Sequence, residues 1–182
     1  MASIIQTHFF EQPPCVCVDD FRITTAPTVA AMHQRFGTPS RIDTGETPAP
    51  AGHRNNQIHV YDELGITLNE HHHTRLLQLV TCWFATDDPH YRFTPHSNFT
   101  GQLQFENVTM PLGGDIRQFL GLSPFQLNCV LTGSWSYVNN EFAIFVNSRG
   151  RRLPSGRRSK VQSILSIDLF WPHDLWQEPV TI

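Results

Sequence analysis

The chain has 182 residues, of which 40% are hydrophobic and 11% aromatic, with 13 Phe and 13 Pro. That is enough apolar material for one domain, or for two small halves around a shared core. A charged fraction of 16% and a net charge of −3 exclude a disordered polyelectrolyte and a coiled coil, and argue against a chain built to bind nucleic-acid phosphates.

The charge is uneven. Residues 1–90 hold ten acidic and five basic side chains, and residues 91–182 hold six acidic and eight basic. An acidic first half facing a basic partner protein is the simplest electrostatic reading. Met1 to Gln12 carry no basic region followed by an apolar run, and no stretch approaches the roughly 18 apolar residues of a membrane helix. The expectation is a cytoplasmic protein. Cys15, Cys17, Cys82 and Cys129 lack CxxC spacing, which predicts free and mostly buried thiols rather than disulfides or a zinc site.

In chain order, residues 15–18 and 21–23 read as short strands. Thr24 and Thr25 are candidate helix caps ahead of Pro27. Val29, Met32, His33 and Phe36 recur at helical spacing, and Gly37 and Pro39 end the helix. After a loop over residues 43–54, residues 57–61 and 66–68 flank the turn Asp62-Glu63-Leu64-Gly65, a hairpin signal. A polar turn over residues 70–74 leads to a third strand over 76–84.

The second half replays this order. Residues 99–105 form a strand, and Ile116, Phe119 and Leu120 a helical stripe ending at Gly121. Residues 133–137 and 142–146 form a hairpin, residues 147–159 a long polar turn, and residues 161–170 the last strand. Phe36-Gly37 falls opposite Leu120-Gly121, and residues 77–84 opposite 163–170. The predicted fold is therefore α+β: a tandem duplication of a helix-plus-β-hairpin unit, residues 1–90 and 91–182. It forms one compact domain with a mostly antiparallel sheet and helices packed on one face.

Catalytic signatures are absent from the sequence. No Gly-x-Ser-x-Gly elbow or phosphate-cradling glycine loop occurs, and no Cys is framed for activation. His71-His72-His73 reads as a solvated hairpin tip, because neighbouring extended residues point in different directions and cannot easily share one ion. His33 reads as a core histidine, and His59, beside Tyr61 on a strand, fits either role. Asp19-Asp20 and the turn pair Asp62-Glu63 suit turn geometry better than acid–base or calcium chemistry. Neither a catalytic residue, a metal nor a cofactor is expected.

Residues 149–160 carry six cations in twelve residues: Arg149, Arg151, Arg152, Arg157, Arg158 and Lys160. With their Gly and Pro punctuation they predict a mobile basic loop. Such a loop can keep the chain soluble, contact nucleic-acid phosphates, or engage acidic groups of a protein through bidentate arginines. Trp171 and Trp176, in the irregular tail, belong to a residue type enriched at interface hot spots.

Over Thr28-Val29 through Gly37-Thr38-Pro39, Tyr61 through Ile66 and the closing strand, the chain resembles small bacterial proteins encoded beside secreted polymorphic toxins and read as their immunity proteins. Its helix-then-strands layout is also similar to β-lactamase inhibitor protein and the outer-membrane assembly lipoproteins, from which it departs by lacking a signal peptide and a lipobox cysteine. The resemblance implies an immunity protein, not an enzyme, that binds a cognate toxin in the cytoplasm and occludes its active site. It transfers no functional residues. The residues expected to meet the partner are Arg149, Arg151, Arg152, Arg157, Arg158, Trp171, Trp176, Asp62 and Glu63. The alternatives are a metal-dependent or hydrolytic enzyme using the histidines, and an RNA-binding module using residues 149–160.

Overall fold

The computed structural model describes residues 4–8, 15–44, 57–71, 74–84, 94–111, 114–124, 126–131, 133–138, 143–152, 155 and 157–170. In chain order the elements are β1 (Ile4–His8), β2 (Cys15–Val18), β3 (Phe21–Ile23), α1 (Val29–Phe36), β4 (Arg41–Asp43), β5 (Gln57–Tyr61), β6 (Ile66–Glu70) and β7 (Leu77–Trp83). They continue with β8 (Gln102–Phe105), β9 (Val108–Thr109), α2 (Ile116–Leu122), β10 (Asn128–Leu131), β11 (Ser134–Val138), β12 (Ala143–Arg152) and β13 (Arg158–Phe170).

Strand accounts for 55% of the described residues and helix for 12%. This overturns the expected α+β arrangement with helices laid over one sheet. The reason is one of size. Helices of eight and seven residues span only about 10–12 Å, whereas eight strands side by side extend roughly 35 Å. A second sheet does the covering instead. A five-stranded sheet, ordered β3-β2-β1-β8-β9, and an eight-stranded sheet, ordered β10-β11-β12-β13-β7-β6-β5-β4, share one core. All described pairings are antiparallel except β1 with β8.

Ile5, Val16, Val18, Leu103 and Phe105 bring the five-stranded sheet to that core, and Ile66, Leu68, Val80, Ile144, Ile167 and Leu169 bring the eight-stranded one. The helices act as seams between the sheets. Phe36 of α1 meets Tyr61 of β5 with ring centroids 5.6 Å apart, and Arg35 lies 4.8 Å over the ring of Phe21 on β3. Phe119 of α2 meets Phe105 of β8 edge to face at 5.6 Å.

The order ribbon, helix, four-stranded meander occurs twice, from β2 to β7 and from β8 to β13, with the two meanders meeting at β7 and β13. The unit thus differs from a helix plus a hairpin. Local details correspond across it. Asp19 and Glu106 both sit at positive φ in the ribbon turns, and Thr28 and Asp115 both cap a helix, Thr28 bridging to Leu76 just before β7 and Asp115 to Ser163 of β13. The α1 cap is Thr28, whose hydroxyl accepts from the Ala31 N–H, rather than Thr24 or Thr25.

Candidate functional site

Strand alternation sends Ile167 and Leu169 of β13 into the core and leaves Ser166 and Asp168 on the opposite face of the sheet. Val80 and Cys82 of β7 do the same for Thr81 and Trp83, and Ile66 and Leu68 of β6 for Thr67 and Asn69. Register then assembles two polar rows. Ser134, Asn147, Ser166 and Trp83 lie opposite one another across β11, β12, β13 and β7, while Asp168, Thr81 and Thr67 form the adjacent row across β13, β7 and β6. Between and beside these rows runs a groove of about 550 Å³, lined also by Ile58 and Asn69 of β5 and β6 and by Ser148 and Arg149 of β12.

The groove's hydrogen bonds are directional. Ser134 Oγ donates to Asn147 Oδ1 at 3.0 Å, which fixes the amide so that Asn147 Nδ2 donates to Asp168 Oδ2 at 2.9 Å and Ser166 Oγ at 3.2 Å. Trp83 Nε1 donates to Thr67 Oγ1 at 3.1 Å, which pins the indole in the groove wall. Burial pushes the Asp168 carboxyl up to about 6, against the opposing pull of hydrogen bonds from Thr81 and Asn147. Among the described residues no cation forms an ion pair with Asp168. Asn69 Oδ1 is buried in the same groove without a hydrogen-bond partner.

The basic segment is built differently from a mobile loop. Arg149, Arg151 and Arg152 belong to β12, and Arg158 and Lys160 to β13, with Arg152 in register with Arg158. Exposed Arg157 sits in the connection. β11 pairs with β12 only as far as Asn147, and β7 with β13 only from Ser166 onward. Beyond those limits the two strands run on as a two-stranded arm. Its base is held by the segment that leads into α2, where the Ile164 N–H donates to the Gly114 carbonyl at 3.1 Å. Register shifts at Asn147/Ser148 and Gly150/Arg152 bend the ladder without ending it.

The other expected partner-binding residues are scattered. Asp62 is only 14% exposed and is engaged internally: it pairs with Arg41 and accepts from the His96 N–H at 2.9 Å. Glu63 is exposed in the β5–β6 turn. Trp171 and Trp176 lie outside the described residues, as do His72 and His73.

His71 is buried rather than solvated, with Nδ1 accepting from the Thr74 N–H at 3.3 Å. His33 and His59 converge. His33 Nε2 lies 3.2 Å from His59 Nδ1, His59 Nε2 lies 2.7 Å from Glu70 Oε2, and Arg75 Nε reaches Glu70 Oε1 at 2.5 Å. His59 and Glu70 are each 3% exposed, so this chain is a buried polar tie between α1, β5 and β6. Burial, and then His59, hold the His33 ring below its ordinary value, with Glu70 opposing. Among the described residues no three His, Cys, Asp or Glu side chains are grouped to hold a metal ion.

Sequence reasoning misses Asp168 and Ser166 because it takes residues 161–170 for their apolar positions alone, and Asn147 because it falls in the expected polar turn over 147–159, whereas it lies in β12. The signal was present in Ser166-Ile167-Asp168-Leu169, a strict polar–apolar alternation on a strand. Glu70 was missed because it was placed in a turn, whereas it ends β6.

A two-sheet β protein with a polar groove on one open sheet face and a basic arm beside it is the class these features define. The chain belongs to the DUF7738 family, described as a domain of unknown function, which matches residues 16–112. That span contains β2 to β9 and so supplies the β5, β6 and β7 side of the groove, while the β11, β12 and β13 side and the arm lie beyond it. No curated protein and no solved structure matches the chain.

Proposed function

We propose that this protein is an immunity-type inhibitor that neutralises a cognate bacterial toxin in the cytoplasm, laying its basic arm into the toxin's acidic active-site cleft. The observation that supports this reading is the arm itself. Arg149, Arg151, Arg152, Arg157, Arg158 and Lys160 are carried on a ribbon whose strands stay paired beyond the sheet, rather than on an open loop. A backbone already ordered by its ladder loses less conformational entropy on docking than a loop does. Arginine supplies bidentate, charge-assisted hydrogen bonds to carboxylates, and it is a preferred hot-spot residue. A cleft lined by catalytic carboxylates is the surface that such an arm complements. No helix among the described residues is long and apolar enough to cross a membrane, in keeping with a target met inside the cell.

Replacing Arg151, Arg152, Arg157 and Arg158 together by Glu tests the reading by calorimetric titration against the inactivated toxin. Affinity should fall by at least about 100-fold, and tight wild-type binding should weaken steeply with salt. An affinity unchanged by the four substitutions would remove the arm from the interface.

A further inference from the structure

Among the described residues the two sheets end in four edge strands, β3 and β9 of the five-stranded sheet and β4 and β10 of the eight-stranded one. An open edge offers unpaired backbone N–H and C=O groups to any other strand, and proteins ordinarily guard it with charge or keep it short. Three of these edges follow that rule. β3 carries exposed Arg22, β4 is three residues long and carries Arg41 and Asp43, and β9 has two residues. β10 does not follow it. Residues 118–140, which contain it, hold no Asp, Glu, Lys, Arg or His.

The side chains agree. All four residues of β10, Asn128, Cys129, Val130 and Leu131, are exposed, and among the described residues the strand pairs with β11 alone. Val130 is 53% exposed and Leu131 70%, and Val138 of β11 is 57% exposed. With Leu122 at the end of α2, they are four of the six large apolar residues that the described chain exposes. Single exposed apolar residues are ordinary, but several in one uncharged stretch that includes an open edge mark an interaction surface.

Charge decides the occupant. When a charged strand pairs with an identical one, like charges come together across the ladder, which is destabilising. β10 carries none, so two copies pair antiparallel about a two-fold axis without that cost, and the apolar edge of each meets the same edge of the other. Pairing of β10 with the β4 edge of another copy is the head-to-tail arrangement, which extends as an open filament. It also sets Arg41 and Asp43 beside a strand that has no charge to answer them.

We propose that β10 is a self-association edge, through which two copies of this chain join their eight-stranded sheets into one. Four residues a side form a small interface, below about 1,200 Å², so the dimer is reversible and forms at micromolar concentration. The proposal rests on this edge and does not depend on the arm or on the inhibitor reading.

The test is sedimentation velocity of the full chain from about 1 to 100 µM, which should show a monomer–dimer equilibrium that stops at the dimer. Val130→Lys and Leu131→Lys each place a charge at an exposed position of the edge, so the fold is undisturbed and thermal melts should match the parent. Each should raise the dissociation constant at least about tenfold. Ile42→Lys, which charges exposed Ile42 on the opposite edge of the same sheet, should leave it unchanged. A chain that stays monomeric at about 100 µM overturns the proposal and leaves the edge to a strand of another protein. Association that both β10 substitutions leave unchanged, or that Ile42→Lys abolishes, overturns it as well. So does growth beyond the dimer, the signature of head-to-tail pairing.

Discussion

Asp168 is half-buried in a sheet with no described cation beside it, and that arrangement works against folding at neutral pH. Burial lifts its carboxyl to about 6, from an ordinary value of about 3.9. Between those values the folded chain retains a proton that the unfolded chain has released. Stability from this group is therefore greatest at low pH and falls as pH rises through the window from about 4 to 6. Asp168→Asn mimics the protonated form at every pH. Urea unfolding at pH 8 should show the variant more stable by on the order of 2 kcal/mol, with the two proteins nearly equal at pH 4. A variant less stable than the parent at pH 8 would mean that the carboxylate has a stabilising partner. This residue was legible only as one polar position in an alternating strand, because the sequence does not say which strands will lie beside it.

At the scale of elements, two glycines at positive φ make a matched comparison. Gly65 has φ +67°, and an added Cβ would lie 2.1 Å from the Phe99 nitrogen and 2.3 Å from the Asn98 carbonyl carbon. Gly37 has φ +82° but faces open space. Gly65→Ala should therefore cost more than about 3 kcal/mol, because residues 98–99 must move off the β5–β6 turn, while Gly37→Ala, at ψ −164° in a region essentially confined to glycine, carries the backbone strain alone and should cost on the order of 1–3 kcal/mol. Chemical denaturation of the two variants checks this, and equal losses would show that backbone conformation alone decides. The turn Asp62–Gly65 and the helix stop at Gly37 were both readable, since each depends on a few adjacent residues. The arm was not. Gly150, Pro154 and the dense cations of residues 149–160 look like loop chemistry, yet the ladder between β12 and β13 persists through them with two register shifts. Cross-strand hydrogen bonds and the bond from Ile164 to Gly114 outweigh local composition there.

The whole molecule is organised by the meeting of β7 and β13, which joins the two meanders into one sheet, and by β1, which joins β2 to β8. Each half therefore exposes a strand edge that the other half covers. A fragment ending at residue 90 should lose both pairings and show no cooperative thermal transition by circular dichroism, whereas the full chain should unfold in one step. A fragment that melts cooperatively would mean that the halves fold independently. The order of elements was largely readable from hydrophobic alternation and turn residues. The fold class was misread because two short helical stripes were given the work of covering a sheet, and sequence periodicity carries no information on which layer lies over which. The partner stands furthest from the sequence, since shape and charge complementarity belong to two surfaces together.

The most direct measurement is affinity capture with tagged protein from a lysate containing an inactivated product of the adjoining gene, run beside the variant with Glu at 151, 152, 157 and 158. The inhibitor reading predicts a stoichiometric complex with the parent chain and its loss with the variant. Recovery of the parent chain alone, or equal capture by both, would contradict it.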